Sequence, residues 1–214
     1  MNSRVFTVIN KDETDRRPRG RPRAFDREKA LAAAGETFWK LGYEGASLVD
    51  LTEAMGITPQ SLYAAFKSKA YLFRESLGWY LGEVGSAARA ALDEPDIVEA
   101  FRQFYAASVR QFCSEGQPRG CMLSAALVNC GSEHGDVAKE VAGYRAASIA
   151  LFQARLERAV AEHQLKDETD CAALARYLGA ILQGLSIQAN DGAAAGELDA
   201  VAALAVTTIA NARR

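Results

Sequence analysis

Apolar residues recur three and four positions apart from residue 26 to the end of the chain, and no stretch alternates apolar with polar as a half-buried strand does. The five prolines fall at 18, 22, 59, 95 and 118, so the last 96 residues hold none of the residue that interrupts helices. The pattern predicts an all-α protein of about nine helices without internal repeats. Leu31, Ala34, Phe38 and Leu41 form the stripe of a first helix over 26–41, with Asp26 as its cap and Gly42 as a left-handed C-cap. Ser47-Leu48-Val49-Asp50 resembles a capping box and opens a short second helix that stops before Gly56, with Leu48, Leu51 and Met55 facing inward. Thr58-Pro59 is a hydroxyl cap followed by proline at the first helical position, and it opens a third helix through Phe66. A break at Lys67-Ser68 restarts the chain as a fourth helix, through Lys69, Leu72 and Phe73 and on past Trp79 and Tyr80.

Further along, Ile97, Phe101, Phe104, Tyr105 and Phe112 mark an amphipathic helix after Pro95. A segment over 121–128 and a long helix over 136–163 follow. The last two helices, near 169–189 and 197–212, are joined by Asn190-Asp191-Gly192 and are rich in Ala, Leu, Ile and Val. They carry more apolar surface than one buried side needs. Leu174, Leu178, Ile181, Leu185, Leu198, Val201, Leu204 and Ile209 can serve an internal face and a face against a twin, with Gly179, Ala180 and Gly184 allowing close approach.

Composition narrows the class. Of 214 residues, 49% are apolar and 24% charged, which excludes a disordered chain, collagen and a disulfide miniprotein. The longest uncharged run, Tyr177 to Asn190, has 14 residues, short of the roughly 18 that a membrane helix needs. The apolar run Val5 to Ile9 is too short for a secretory signal, so the expected location is the cytoplasm. Cys113, Cys121, Cys130 and Cys171 contain no Cys-x-x-Cys pair, and in a reducing compartment they are free thiols.

The net charge of −2 hides an asymmetry: residues 1–23 hold seven Lys or Arg against three acids. Arg16, Arg17, Arg19, Arg21 and Arg23 are separated by Pro18, Gly20 and Pro22, which makes residues 1–24 a flexible basic arm and not a helix. Such an arm is either a solvated tail or a minor-groove ligand, since a narrow groove attracts arginine. The second helix, a turn containing Gly56 and the third helix outline a helix-turn-helix, an outline that a purely structural helical corner shares. The chemistry of the third helix favours DNA. Thr58, Gln60 and Ser61 can hydrogen-bond base edges while Leu62 and Phe66 anchor the helix. Tyr63 can send its hydroxyl to a phosphate, and Ser47, Lys67 and Lys69 stand near helix ends suited to phosphate contact.

Phe38, Gly42, Tyr43, the helix from Ser47 to Met55, Gly56-Ile57-Thr58, Leu62-Tyr63, Phe66 and Ser68-Lys69 together resemble the TetR family of bacterial transcriptional regulators. The resemblance covers residues 20–75. Its sharpest part is the pattern Leu-Tyr-x-x-Phe-x-Ser-Lys. The resemblance implies that residues 25–75 form the DNA-binding domain with the third helix as reader. Tyr63 and Lys69 then contact the backbone, and Thr58, Pro59, Gln60 and Ser61 lie on bases or phosphates. Thr52 stands where the family often has alanine and Ala70 where it often has an acid, and Pro59 removes a polar side chain from the reading surface. The resemblance further implies that residues 76–214 bind an effector and dimerise.

For the second half, Trp79, Phe104, Tyr105, Met122 and Tyr144 are candidate walls of an apolar pocket, with Asn129 and Gln183 as orienting polar groups; simple core packing is the alternative for each. The leading expectation is a homodimeric repressor, paired through its last two helices on a palindromic operator and released by an unknown small molecule. The alternative is a thiol sensor of oxidants or electrophiles. It would use Cys121, preceded by Arg119 and placed at a helix start, two features that lower a thiol pKa. Cys130 and His134 are too few for a metal site. An enzyme is not expected: the two histidines stand beside no nucleophile, and no phosphate-cradling glycine loop or cofactor motif is present.

Overall fold

The Asp26 carboxylate opens the first helix by accepting the backbone N–H groups of Glu28 and Lys29, both at 3.2 Å. The structure, a computed structural model, describes residues 25–126 and 134–214. Helix α1 (Arg27–Gly45) does not end at residue 41. Gly42 does take a positive φ (73°), but its ψ of 172° is extended, so the helix kinks there and closes one further turn, with Ala46 N–H on the Gly42 carbonyl. A glycine that terminates one helix stretch can permit a bend because it lacks the Cβ that resists positive φ.

Helices α2 (Leu48–Met55), α3 (Pro59–Phe66) and α4 (Lys69–Trp79) follow, each opened by a hydroxyl: Ser47, Thr58 and Ser68. They pack on α1 around Phe38, Phe66, Leu72, Phe73 and Leu77. Phe73 meets the rings of Phe38 and Tyr43, each at 5.0 Å. Met122, Leu123, Val137 and Val141 from the second half join the same cluster, so the N-terminal helices are not a separate core.

Beyond Trp79 the chain stays helical but changes pitch. Tyr80–Val84 is a π turn, closed by Gly85 N–H on the Tyr80 carbonyl at 2.9 Å, before α5 (Ser86–Ala90) and a 3₁₀ turn (Ala91–Asp93). Helices α6 (Ile97–Phe112), α7 (Met122–Ala125), α8 (Gly135–Ala161), α9 (Cys171–Asn190) and α10 (Ala195–Asn211) complete the fold. Ten α-helices stand among the described residues against about nine expected; the one-turn pieces α5 and α7 are too short to leave a periodic stripe. Helix α8 stops two residues short of His163, which itself adopts φ 59°. No helix among the described residues is long and apolar enough to cross a membrane.

The second core is aromatic at its centre. Phe152 of α8 meets Phe101 at 5.4 Å and Phe104 at 5.0 Å, and the buried Tyr105 hydroxyl donates to the Leu178 carbonyl at 2.7 Å. Arg155, also buried, holds the turn before α6 by donating from Nε to the Leu92 carbonyl and from Nη2 to those of Glu94 and Pro95.

Several carboxylates depend on folding for their low pKa. Arg102 and Gln103 hold Glu99 down to about 2, while Asp96 is lowered by the backbone N–H of Glu99, by Arg213 and by the Val98 N–H. Their folded values lie below the unfolded ones. The stabilisation is therefore present above the unfolded pKa and disappears as pH falls through the folded one. The expected thermal midpoint is level near pH 6 and declines below about pH 4. A midpoint unchanged in a melting series down to about pH 3 would contradict these assignments.

Candidate nucleic-acid interface and interdomain cleft

The geometry of the second and third helices follows from their caps. Gly56 closes α2 in the left-handed conformation (φ 63°, ψ 31°), and Thr58 restarts the chain two residues later. Leu62 and Phe66 are fully buried, which fixes the rotation of α3 and leaves Pro59, Gln60, Tyr63 and Ala64 outward. Thr58 Oγ1 accepts the Ser61 N–H at 3.2 Å and lies 3.0 Å from Ser61 Oγ. The two hydroxyls are thus partly engaged by the cap, and Gln60 is the freer polar side chain on the outward face of α3.

Ser47 is exposed, and its Oγ is engaged in both directions: it accepts from Asp50 N–H and donates to the Asp50 carboxylate at 2.6 Å. The Ser47 hydroxyl and backbone N–H hold the Asp50 carboxyl below its ordinary range. Lys69 Nζ lies 4.8 Å from the centre of the Tyr43 ring. Burial lowers its ammonium pKa, with Glu44 and Asp50 opposing. Lys67 takes φ 64°, unusual for a residue with a side chain, and its ammonium sits 5.1 Å from the Tyr71 ring.

Arg19, Arg21 and Arg23 lie outside the described residues. Phe25 lines a shallow groove with Thr52, Glu53, Gly56, Ile57, Thr58 and Ser61, so the basic segment joins the fold beside the N-terminal end of α3. Two connections had no signal in the sequence pattern. Arg74 of α4 forms a two-pronged ion pair with Glu140 of α8, at 2.6 and 2.9 Å, and Arg27 pairs with Glu75 while lying over the Phe66 ring. Such pairs join positions 48 and 66 residues apart, beyond any local pattern.

The candidate pocket aromatics do not surround one cavity. Phe104 and Tyr105 are packed into the second core, and Trp79 covers Gly35 of α1 so closely that a Cβ there would lie 2.4 Å from the indole. Tyr144 is exposed on α8 and Gln183 half-buried on α9. Asn129 lies outside the described residues. These corrections share a cause: aromatics at helical spacing mark the face a helix buries, whereas a cavity forms where distant segments meet imperfectly.

The large opening lies elsewhere. A cleft of about 1000 Å³ runs between α1, through Ala33, Glu36, Thr37 and Lys40, and the segment from Gly116 to Met122, with Asn190 at its end. Met122 and Cys121 line it.

Cys121 is half-buried at the start of α7, and its N–H donates to Ser186 Oγ at 2.8 Å. Arg119 does not turn toward it. Its Nε donates to the Ala189 carbonyl at 2.6 Å and its Nη2 to that of Ala193 at 2.5 Å, and Nη2 lies 3.7 Å from Cys113 Sγ. The arginine expected beside Cys121 thus stands on Cys113. Gly120, with φ 73°, closes the intervening loop by donating its N–H to the Phe112 carbonyl at 3.0 Å. Burial first, and the neighbouring Cys121 second, push the Tyr80 phenol well above its ordinary value. His134 packs its ring on Tyr43 at 5.0 Å, and Cys130 lies outside the described residues. No group of three or more His, Cys, Asp or Glu able to hold a metal occurs among the described residues.

Residues 30–76 match the family model described as bacterial regulatory proteins, tetR family, and residues 98–203 match that of the tetracyclin repressor-like C-terminal domain. The chain is 34% identical over 189 residues to the HTH-type transcriptional repressor ComR of Escherichia coli, covering 87% of this chain and 90% of ComR. It is 30% identical to the repressor BdcR of the same organism, with the same coverage. Among solved structures, a cysteine-substituted mutant of the TetR family regulator CifR, in complex with 26-bp double-strand operator DNA, is 44% identical with a TM-score of 0.84. The match covers 87% of this chain and 98% of that one.

Proposed function

This chain belongs to the TetR family of bacterial transcriptional regulators, and from that premise we propose that it is a homodimeric repressor of a palindromic operator, released by a small effector. The carrying observation is the outward face of α3: Gln60 and Tyr63 are exposed on a helix whose opposite face is locked by Leu62 and Phe66. One short helix reads few base pairs, and a second copy related by two-fold symmetry supplies the matching half-site. Helix α9 leaves Ala173, Tyr177, Ala180 and Ile187 exposed along one stripe, and α10 leaves Ala200, Ala203, Leu204 and Thr207. Two such stripes per chain form a four-helix contact when paired. The basic arm, joining the fold beside α3, is assigned to the adjacent minor groove. Release requires that the effector bind the free form more tightly than the operator-bound one.

Site selection from random duplex DNA with the full-length protein tests this reading. An enriched palindrome is expected, and an Arg19, Arg21 and Arg23 to alanine variant should bind it more weakly. On that site, Lys69→Ala or Tyr63→Phe is expected to weaken binding to all sequences alike. Lys69→Ala should reduce the slope of log affinity against log salt by about one for the phosphate it no longer neutralises, whereas Tyr63→Phe, which removes a neutral donor, should leave the slope unchanged. Gln60→Ala should instead change sequence preference, at a cost of about 1–3 kcal/mol. Uniform weakening in all three would show that α3 does not read bases through Gln60.

A second reading is favoured by the placement of Cys121 on the cleft between the two halves. The Cys121 sulfur would add to one carbon of an electron-poor alkene, the S–C bond forming as the C=C π bond breaks and the other carbon taking up a proton in place of the one the thiol gives up, and the adduct would alter the wall facing α1. The CifR protein in the operator complex carries cysteine substitutions. A Cys121→Ser variant released from the operator by N-ethylmaleimide as readily as the parent would remove this reading.

A further inference from the structure

We propose that Tyr71 and Arg74 of α4 are positioning residues for DNA binding: held by Glu140 of α8, they fix the Lys67 ammonium for an operator phosphate. The inference rests on the repressor reading above and adds to it the part of the second half that sets a DNA contact. Lys67 stands in the turn between α3 and α4, and its backbone is strained. A φ of 64° and a ψ of −49°, with Ser68 N–H on the Phe66 carbonyl at 2.6 Å, make a γ-turn of the rarer, positive-φ form. A side-chain-bearing residue keeps such a conformation where its surroundings over-determine it, and functional sites are where this recurs. The lysine is exposed, and its Nζ lies 5.1 Å from the centre of the Tyr71 ring.

Tyr71 is itself exposed, so burial does not hold its ring. Arg74, three residues on, does: its guanidinium lies 5.6 Å from the centre of the same ring and is fixed in turn by the two-pronged pair with Glu140. A forked pair sets the plane of the guanidinium as well as its place. Two cations over one ring repel each other, and the Glu140 carboxylate offsets the charge of Arg74 so that the ring can carry both. A surface pair of this kind adds little to stability. Its geometry is what the site uses.

A second contact from the same end of α8 reaches the other lysine near that turn. His134, just before α8, packs on the Tyr43 ring at 5.0 Å, and Lys69 Nζ lies 4.8 Å from the centre of that ring. Val137 and Val141 of α8 are buried in the first core, so this end of the helix is anchored among the N-terminal helices. The far end, through Phe152, Leu156 and Ala159, belongs to the second core. Between them Ile149 lies so close to Gly179 of α9 that a Cβ there would be 3.0 Å away. One helix thus carries its position on α9 to the two rings that bear Lys67 and Lys69.

Operator titrations of the full-length protein at several salt concentrations, arranged as a double-mutant cycle, test the assignment. Lys67→Ala is expected to lower operator affinity roughly tenfold near 0.1 M salt and to reduce the salt slope by about one for each phosphate it no longer neutralises. Arg74→Met combined with Glu140→Gln removes the pair without changing net charge, so the long-range field is kept. This pair variant should reproduce most of both losses while its thermal midpoint stays near the parent's. Adding Lys67→Ala to it should then cost little more. Tyr71→Leu, which removes the ring, should weaken binding as the pair variant does, and Tyr71→Phe, which keeps it, should bind as the parent. If the pair variant melts early, the same cycle run with Tyr71→Leu gives the answer. The proposal is overturned if Lys67→Ala or Tyr71→Leu binds with the parent's affinity and slope, if the costs in the cycle simply add, or if Tyr71→Phe is as weak as Tyr71→Leu, which would make the phenol itself the contact. A parent that selects no DNA site removes the repressor reading and the positioning role together. An operator that the parent selects and every variant binds alike removes the positioning role alone.

Discussion

Gly120→Ala is expected to lower the thermal midpoint by roughly 10 °C, through the combined cost of a strained backbone and a collision with a helix. At φ 73° an alanine pays about 1–2 kcal/mol for the left-handed conformation. A Cβ built there would also lie 2.7 Å from the Ser186 carbonyl oxygen and 2.7 Å from Asn190 Oδ1. The first belongs to the backbone of α9 and cannot rotate away. Overpacking of this kind adds about 1–3 kcal/mol. Gly116→Ala is the matched control, because its φ of 81° carries the same strain with nothing within 4 Å of the new methyl. It should show only the strain part of the effect. Equal drops in melting curves of the two variants would show that the Gly120 loop does not press on α9. The effect also bears on the cleft, since a loop pushed off α9 takes Arg119 and Cys121 with it.

The double substitution Ile187→Glu with Leu204→Glu is expected to give a folded monomer whose operator affinity is about 10²–10⁴-fold lower, the drop that follows when two linked half-sites are held by one reader each. Both side chains are large and apolar, yet 49% and 67% exposed in the single chain. A carboxylate at either position meets water in the monomer and meets its own symmetry mate in a dimer, where burial of unpaired like charge is costly. Sedimentation at several concentrations and an operator titration read the two effects, and a thermal transition that stays cooperative shows that folding survives. A dimer that persists would move the interface away from α9 and α10, toward a face such as that of Tyr144 and Leu151 on α8.

Local rules were sufficient where an element is fixed by its own residues. Asp26, Ser47, Thr58 and Ser68 each cap the helix they precede, because a short side-chain oxygen reaches only the backbone N–H groups two or three residues on. Leu62 and Phe66 are buried four apart on α3, and the outward position of Gln60 and Tyr63 follows from the same period. Which residues α3 turns outward was therefore legible. Local rules misled where one residue type has two uses. Gly42 has the positive φ expected of a cap but serves as a kink, a choice made by whether the next turn finds further hydrogen bonds. Phe104 and Tyr105 carry the aromatic pattern of a pocket and fill a core, because Phe152 and Leu178 arrive from other helices to cover them.

The sequence alone determined that this chain is helical, where its main helices start, and which polar residues one of them turns outward, since caps and periods act over a few neighbouring residues. Only the tertiary structure decided that Arg119 sits on Cys113 and two carbonyls of the α9–α10 region instead of on Cys121, that Arg74 reaches Glu140, and that the open space lies between α1 and the loop after α6. Those facts depend on how separately formed helices settle against one another, which no window along the chain contains.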